Sequence, residues 1–150
     1  MSLPYRIAAG ALVFHQDKIL LVRYASSVGN YLVAPGGAVH EAEPLAAAAK
    51  RETEEETSLK VVARHPVAVE DLLFPRYRMC KMWFFCEVVG GNLHDTEGAV
   101  REGITQAAWF CHHDLRQETV YPPIIMQYDW AAMASPKWTA KWLEFRVATD

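Results

Sequence analysis

The sequence predicts an α/β domain of three layers, with a mixed β-sheet between helices. Three observations predict it. Apolar, β-capable runs at 6–14, 18–24, 60–70 and 79–89 bracket one strongly helical segment at 44–58. A second segment with helical spacing, 122–146, follows the last strand. The chain has 150 residues, 51% of them hydrophobic and 22% charged, which suits one domain spanning 1–150 with a single buried core. No internal repeat, low-complexity tract or linker interrupts it.

Taken in order, RIAAGALVF (6–14) and KILLVRY (18–24) flank His15-Gln16-Asp17 and read as a hairpin with a short polar turn. Residues 25–30 form a loop and 31–34 (YLVA) a short strand. It stops at Pro35-Gly36-Gly37, where two glycines permit a sharp turn or a close approach to a ligand. Pro44 suits the first turn of a helix, with Glu43 as its cap, and the helix ends near Ser58. Strands follow at about 60–70 and 79–89. Pro75–Arg78 forms a loop or bulge between them, and Gly90-Gly91 ends the second. A polar loop at 92–103 leads to a short strand at 104–111 and a helical turn at His112–Glu118. In the last segment Ile124, Tyr128, Trp138, Trp142 and Phe145 keep helical spacing, interrupted at Ser135-Pro136.

Net charge is -3 and the pI is near 6.1, so the chain lacks the basic footprint of a binder of nucleic-acid polymers. An acidic protein can still handle an anionic substrate when a divalent metal supplies positive charge. Cys80, Cys86 and Cys111 have neither metal-ligand nor redox spacing; they read as buried packing residues of a cytoplasmic protein. No signal peptide is visible, and no apolar run approaches the roughly 20 residues that span a bilayer.

The helical segment carries an anomaly. Arg51-Glu52-Thr53-Glu54-Glu55-Glu56 places four carboxylates within five residues, which weakens an isolated helix. At about 100° per residue from Leu45, the apolar stripe of Ala49, Thr53 and Ala46 falls at about 40°, 80° and 100°. Glu52, Glu56 and Glu55 fall at about 340°, 20° and 280°, merging with that stripe, whereas Glu54 at about 180° points away. A solvated acidic helix end would put its acids on the polar side instead. Inward carboxylates need compensation, part of it from Arg51 and the rest from a hard cation. Clustered carboxylate oxygens suit Mg²⁺ or Mn²⁺, and the Gly36-Gly37 turn could add a backbone carbonyl.

The spacing narrows this further. Gly37, five residues, Glu43, seven residues, then Arg51-Glu52-Thr53-Glu54-Glu55-Glu56-Thr57-Ser58-Leu59 resembles the box of the Nudix hydrolase family, G-x5-E-x7-R-E-U-x-E-E-x-G-U, with U bulky and aliphatic. Every charged position and the first glycine are present, six of the seven fixed glycine and charged positions over 23 residues. Pro35-Gly36 matches the usual lead-in. Trp109-Phe110 followed by Asp114-Leu115 also looks like the family. Thr53 replaces the aliphatic residue and brings a hydroxyl needing a partner. Ser58 replaces the glycine that ends the helix in a left-handed conformation, at a cost of about 1 kcal/mol.

The resemblance implies a MutT-like α/β/α sandwich and Mg²⁺- or Mn²⁺-dependent hydrolysis of a nucleoside diphosphate linked to another group. Glu52, Glu55 and Glu56 would be metal ligands, Glu52 alternatively activating water; Arg51 would orient them and the Gly36 carbonyl would complete the shell. In some members the base is a glutamate on a later loop, for which Glu102 and Glu97 are candidates, Glu102 preferred. Arg23 could meet a phosphate, and Tyr31, Phe74 or Tyr77 could stack on a base. Pro75 matches a family rule for ADP-ribose and Tyr77 one for dinucleoside polyphosphates, so the substrate stays open among these and nucleoside triphosphates. A possible homodimer is implied too. The alternative is a noncatalytic nucleotide-binding module of the same fold, although such members usually have eroded boxes. Six scattered histidines show no ligand pattern, and His112-His113 reads as capping a surface turn.

Overall fold

The computed structural model of the protein describes residues 2–27 and 29–148. The hairpin forms from β1 (Tyr5–His15) and β2 (Lys18–Ser26), joined by Gln16 and Asp17 with φ of 50° and 64°. Two positive φ values in a two-residue connection match the right-handed twist of the flanking strands. After β2 come β3 (Gly29–Val33) and β4 (Gly36–Ala38). The expected loop at 25–30 is therefore mostly strand, and Val28 lies outside the described residues.

Helix α1 (Leu45–Thr57) leads to a long antiparallel pair, β5 (Leu59–Leu73) and β6 (Arg78–Gly91). Register shifts around Pro66 mark a bulge, which is where proline is tolerated inside a strand. Residues 97–101, expected as loop, form α2 (Glu97–Arg101), followed by β7 (Ile104–Phe110) and a 3-10 turn at His112–Leu115. The chain ends through β8 (Val120–Tyr121), α3 (Ile124–Gln127), α4 (Trp130–Ala134), β9 (Lys141–Trp142) and β10 (Arg146–Val147).

The strands run in the order β10-β5-β6-β1-β2-β3-β8, with β4, β7 and β9 pairing beside β1, β2 and β5. The sheet is mixed: β1 and β6 are parallel and β5 and β6 antiparallel. Alternation along β1 separates the two faces. Ala9, Ala11 and Val13 pack with Ala48 and Ala49 of α1, while Leu12 joins Trp83, Ile124, Ile125 and Met133 on the other side. The three expected layers are present.

Three details differ from the sequence reading. The segment 122–146 is not one helix: two short helices supply the buried Ile124, Ile125, Trp130 and Met133, and the chain then extends into strands. Tyr128 is the C-cap of α3 and Ser135 that of α4, so the apparent period crosses two breaks. Glu43 does not cap α1; Pro44 holds that position, and the Glu43 carboxylate is drawn to Arg51. Of the cysteines Cys86 is buried, with burial pushing its thiol up to about 12, but Cys111 is half-buried and Cys80 exposed. No helix among the described residues is long and apolar enough to cross a membrane.

Candidate active site

The buried face of α1 consists of Ala48, Ala49, Glu52, Thr53, Glu56 and Thr57. The alanines let the helix lie close to β1, and the two threonines satisfy their hydroxyls locally. Thr53 Oγ1 donates to the Ala49 carbonyl at 2.8 Å and Thr57 Oγ1 to the Thr53 carbonyl at 2.6 Å. Ser58 takes the left-handed conformation, φ 68°, that the resemblance assigns to glycine.

On that face Glu52 is 6% and Glu56 1% exposed. Neither oxygen of Glu56 receives a hydrogen bond, nor does Oε2 of Glu52. Glu102 joins them from the C-terminal end of α2, and one carboxylate oxygen from each of the three lies within 4.8 Å of the others. Thr96 brings α2 there: its hydroxyl donates to the Glu55 carbonyl, and its oxygen accepts from the Ala99 N–H at 2.9 Å. Burial, then the charges of Glu102 and Glu52, hold the Glu56 carboxyl well above the ordinary carboxylate range. Burial and Glu52 likewise raise Glu102.

Arg51 organises the outer side. Nε and Nη2 meet the Glu43 carboxylate at 2.7 and 2.9 Å, and Nη1 meets Glu52 at 2.9 Å and Glu55 at 3.2 Å. Nη2 also donates to the Ala38 carbonyl at 3.0 Å. The bidentate contact drives the Glu43 carboxyl down to about 2. Strand β4 closes the other side, where a Cβ on Gly37 would lie 2.5 Å from the Glu52 carboxyl carbon. Glycine is needed there for close approach, since neither Gly36 nor Gly37 has a positive φ.

Beside the cluster opens a pocket of about 310 Å³ whose lining includes Gly36, Tyr24 and Lys81. Tyr31 stacks on Tyr24 at 5.4 Å and Tyr77 on Phe74 at 4.6 Å, and all three predicted aromatics, Tyr31, Phe74 and Tyr77, line it. Glu55 stands apart from the three-carboxylate group, half exposed and held by Arg51. Glu97 is exposed and faces Arg101 at 3.9 Å. Arg23 is diverted: its guanidinium is bound by Glu118 at 2.7 and 3.1 Å and by Gln106 at 2.9 Å. His112 stacks on Trp130 at 3.7 Å, not capping a turn by hydrogen bonds.

A profile described as the NUDIX domain matches residues 4–130, most of the chain. The chain belongs to the NUDIX family. Among solved structures, a NUDIX hydrolase from Nitrosomonas europaea is similar with a TM-score of 0.71 at 18% identity, over 97% of this chain and 81% of its own. An ADP-ribose pyrophosphatase from Streptococcus suis 89-1591 gives 0.63 at 22% identity, over 91% and 98%. A MutT NUDIX hydrolase from Burkholderia pseudomallei gives 0.64 at 23%, over 81% and 94%. These likenesses show the fold. Comparison with curated proteins gives no match.

The NUDIX box marked only part of this site. Lys81, Glu70, Tyr121 and Arg146 line the pocket and were not singled out. Lys81 had a signal: it is a lone cation in the apolar run MCKMWFFC. Its ammonium lies 4.3 Å from the Trp83 ring centroid, and burial lowers its affinity for a proton against the pull of Glu56 and Glu70. Arg146 had none, because its strand pairing depends on where β5 lies.

Proposed function

We propose that this NUDIX domain is a metal-dependent pyrophosphohydrolase acting on a nucleotide-type substrate. The observation that carries the reading is the set of buried carboxylate oxygens of Glu52 and Glu56 that no protein donor satisfies, with Glu102 closing the group. Buried charged oxygens without a partner are costly, and a hard divalent cation such as Mg²⁺ or Mn²⁺ is the species whose ligand preference fits them. When bound, the cation supplies charge neutralisation at the pyrophosphate and activation of water.

The chain's own residues do the rest. Glu52 and Glu56 would hold the cation, with Glu55 and the Gly36 carbonyl as further ligand candidates. Arg51 fixes the Glu52 carboxylate through Nη1 and leaves its second oxygen for the cation. Glu102, raised by burial and by the Glu52 charge and close to both buried carboxylates, is the residue placed to take a proton from the attacking water. Lys81, between the cluster and the pocket, meets the negative charge that builds on the phosphates. Tyr31 and Tyr77 bind the nucleoside portion, and Arg23 supports β2 through Glu118.

A panel of nucleoside triphosphates, nucleotide sugars, ADP-ribose and dinucleoside polyphosphates incubated with Mg²⁺ tests this. At least one should be cleaved at a pyrophosphate bond, with cleavage lost in Glu56→Gln. Tight binding of one member with no cleavage of any would instead establish a noncatalytic module.

A further inference from the structure

We propose that Arg146 is a specificity-determining residue, reading the nucleobase and selecting guanine over adenine. This rests on the nucleotide-substrate reading above and names the base it favours. Arg146 lies beyond residues 4–130, so the matched domain does not include this wall of the pocket.

The wall is firmly docked. Strands β9 and β10 run parallel to β5, pairing Lys141 with Ala68 and Arg146 with Leu72. The Leu143 N–H donates to the Val69 carbonyl at 2.9 Å and the Ala148 N–H to the Leu73 carbonyl at 2.8 Å. Both Arg146 and Ala148 therefore line the pocket.

The Arg146 side chain is held at two points. Its Nη2 donates to Glu70 Oε2 at 3.1 Å, and its guanidinium carbon lies 4.8 Å from the Tyr121 ring centroid. Glu70 is 4% exposed and its other oxygen accepts the Trp83 indole N–H at 2.8 Å. A guanidinium carries five N–H groups in a planar fork, and among the described residues a single hydrogen bond engages it. Arg146 lines the pocket together with six aromatic residues, Tyr24, Tyr31, Phe74, Tyr77, Trp83 and Tyr121, and its outer side borders a second cavity beside Tyr128 and Lys141.

Charge separates what each cation would bind. Glu70 neutralises Arg146, leaving directional donors without net charge, which suits the neutral acceptor atoms of a base. Lys81 makes no ion pair among the described residues and sits nearer the carboxylates, which suits a phosphate. The stacked pair Tyr24–Tyr31 and the Phe74 ring line the pocket as stacking surfaces for a base, Tyr77 backing Phe74 with the Arg6 guanidinium 4.0 Å from its own ring centroid. Guanine presents O6 and N7 as adjacent acceptors, matching an arginine fork. Adenine presents an N6 donor in place of O6, so a donor would face a donor. A bidentate contact of this kind discriminates about tenfold or more.

The test is calorimetric titration of the full chain with GMP and with AMP, in Mg²⁺ buffer, which needs no turnover. The unmodified protein should bind GMP at least about tenfold more tightly than AMP. Arg146→Lys keeps the charge beside Glu70 but loses the fork, and should erase the difference with AMP affinity unchanged. Arg146→Gln keeps a donor for Glu70 but presents an amide that pairs with adenine N6 and N7, and should abolish or reverse the GMP preference, so either folded variant decides. Equal affinities, a preference for AMP, no binding of either nucleotide, or a GMP preference surviving in a folded variant would each overturn the proposal. Glu56→Gln separates it from the catalytic reading: that variant should lose turnover and keep the GMP preference.

Discussion

Glu102 and Glu56, far apart in sequence, place carboxylate oxygens within 4.8 Å of each other at the junction of α2 and α1. Both are driven toward the protonated form by burial and by neighbouring carboxylates. Such a pair is unfavourable without a cation, and that tension is the source of the first two predictions.

Glu56→Gln should abolish turnover yet stabilise the metal-free protein. The amide removes a buried charge that no donor satisfies, a gain of about 1 kcal/mol. Thermal melting in EDTA should show a Tm higher by about 2–4 °C. A lower Tm would contradict the idea that the carboxylate is uncompensated.

Metal binding should release protons and tighten as pH rises. Glu56 and Glu102 have folded values raised above 4.5, so just above that pH the metal-free protein holds more protons than the unfolded chain. Its stability therefore falls as pH rises through that window, and the metal reverses the loss. Calorimetry of Mn²⁺ binding in buffers of different ionisation enthalpy counts the protons. A proton count of zero at every pH from 4.5 upward would sink the prediction.

Arg51→Lys should weaken metal binding about 10–100-fold, because one ammonium cannot hold Glu43, Glu52, Glu55 and the Ala38 carbonyl together. The same contacts set a pH signature. Arg51 depresses the Glu43 carboxyl from 4.5 to about 2, so its stabilising effect is complete above pH 4.5 and lost as pH falls through about 2. Acid titration of Glu43 by NMR should show that depression in the parent and its partial relief in Arg51→Lys, which lacks the bidentate fork.

Gly37→Ala should reduce turnover about 100-fold or more, since the added methyl must displace the Glu52 carboxylate. The fold should survive, because the obstacle is the end of a side chain. Gly10→Ala should instead destabilise the fold by about 1–3 kcal/mol, as its methyl would meet the Trp83 ring and the Pro35 carbonyl. Circular dichroism melts beside activity assays separate the two.

Ser58→Gly should raise stability by about 1 kcal/mol with activity unchanged, because Ser58 holds φ 68°. Urea denaturation gives the difference directly.

The sequence by itself determined the sheet, the helix and the acidic face, because each depends on local period. Apolar, β-capable runs bounded by turn residues laid out β1, β2, β5 and β6, and the 3.6-residue period turned Glu52 and Glu56 inward. Box spacing identified the family for the same reason: its residues sit on one helix and the strand before it. Only the tertiary structure decided the rest. Glu102 was one of two loop candidates until Thr96 tied α2 to the end of α1. Arg23 looked available until Glu118 and Gln106 were folded against it. The segment 122–146 kept a helical period that Pro136 and the open edge of β5 overrode, since pairing with β5 satisfies backbone groups that an isolated helix end would leave free. Arg146 reached the pocket by that pairing, which no local pattern encodes.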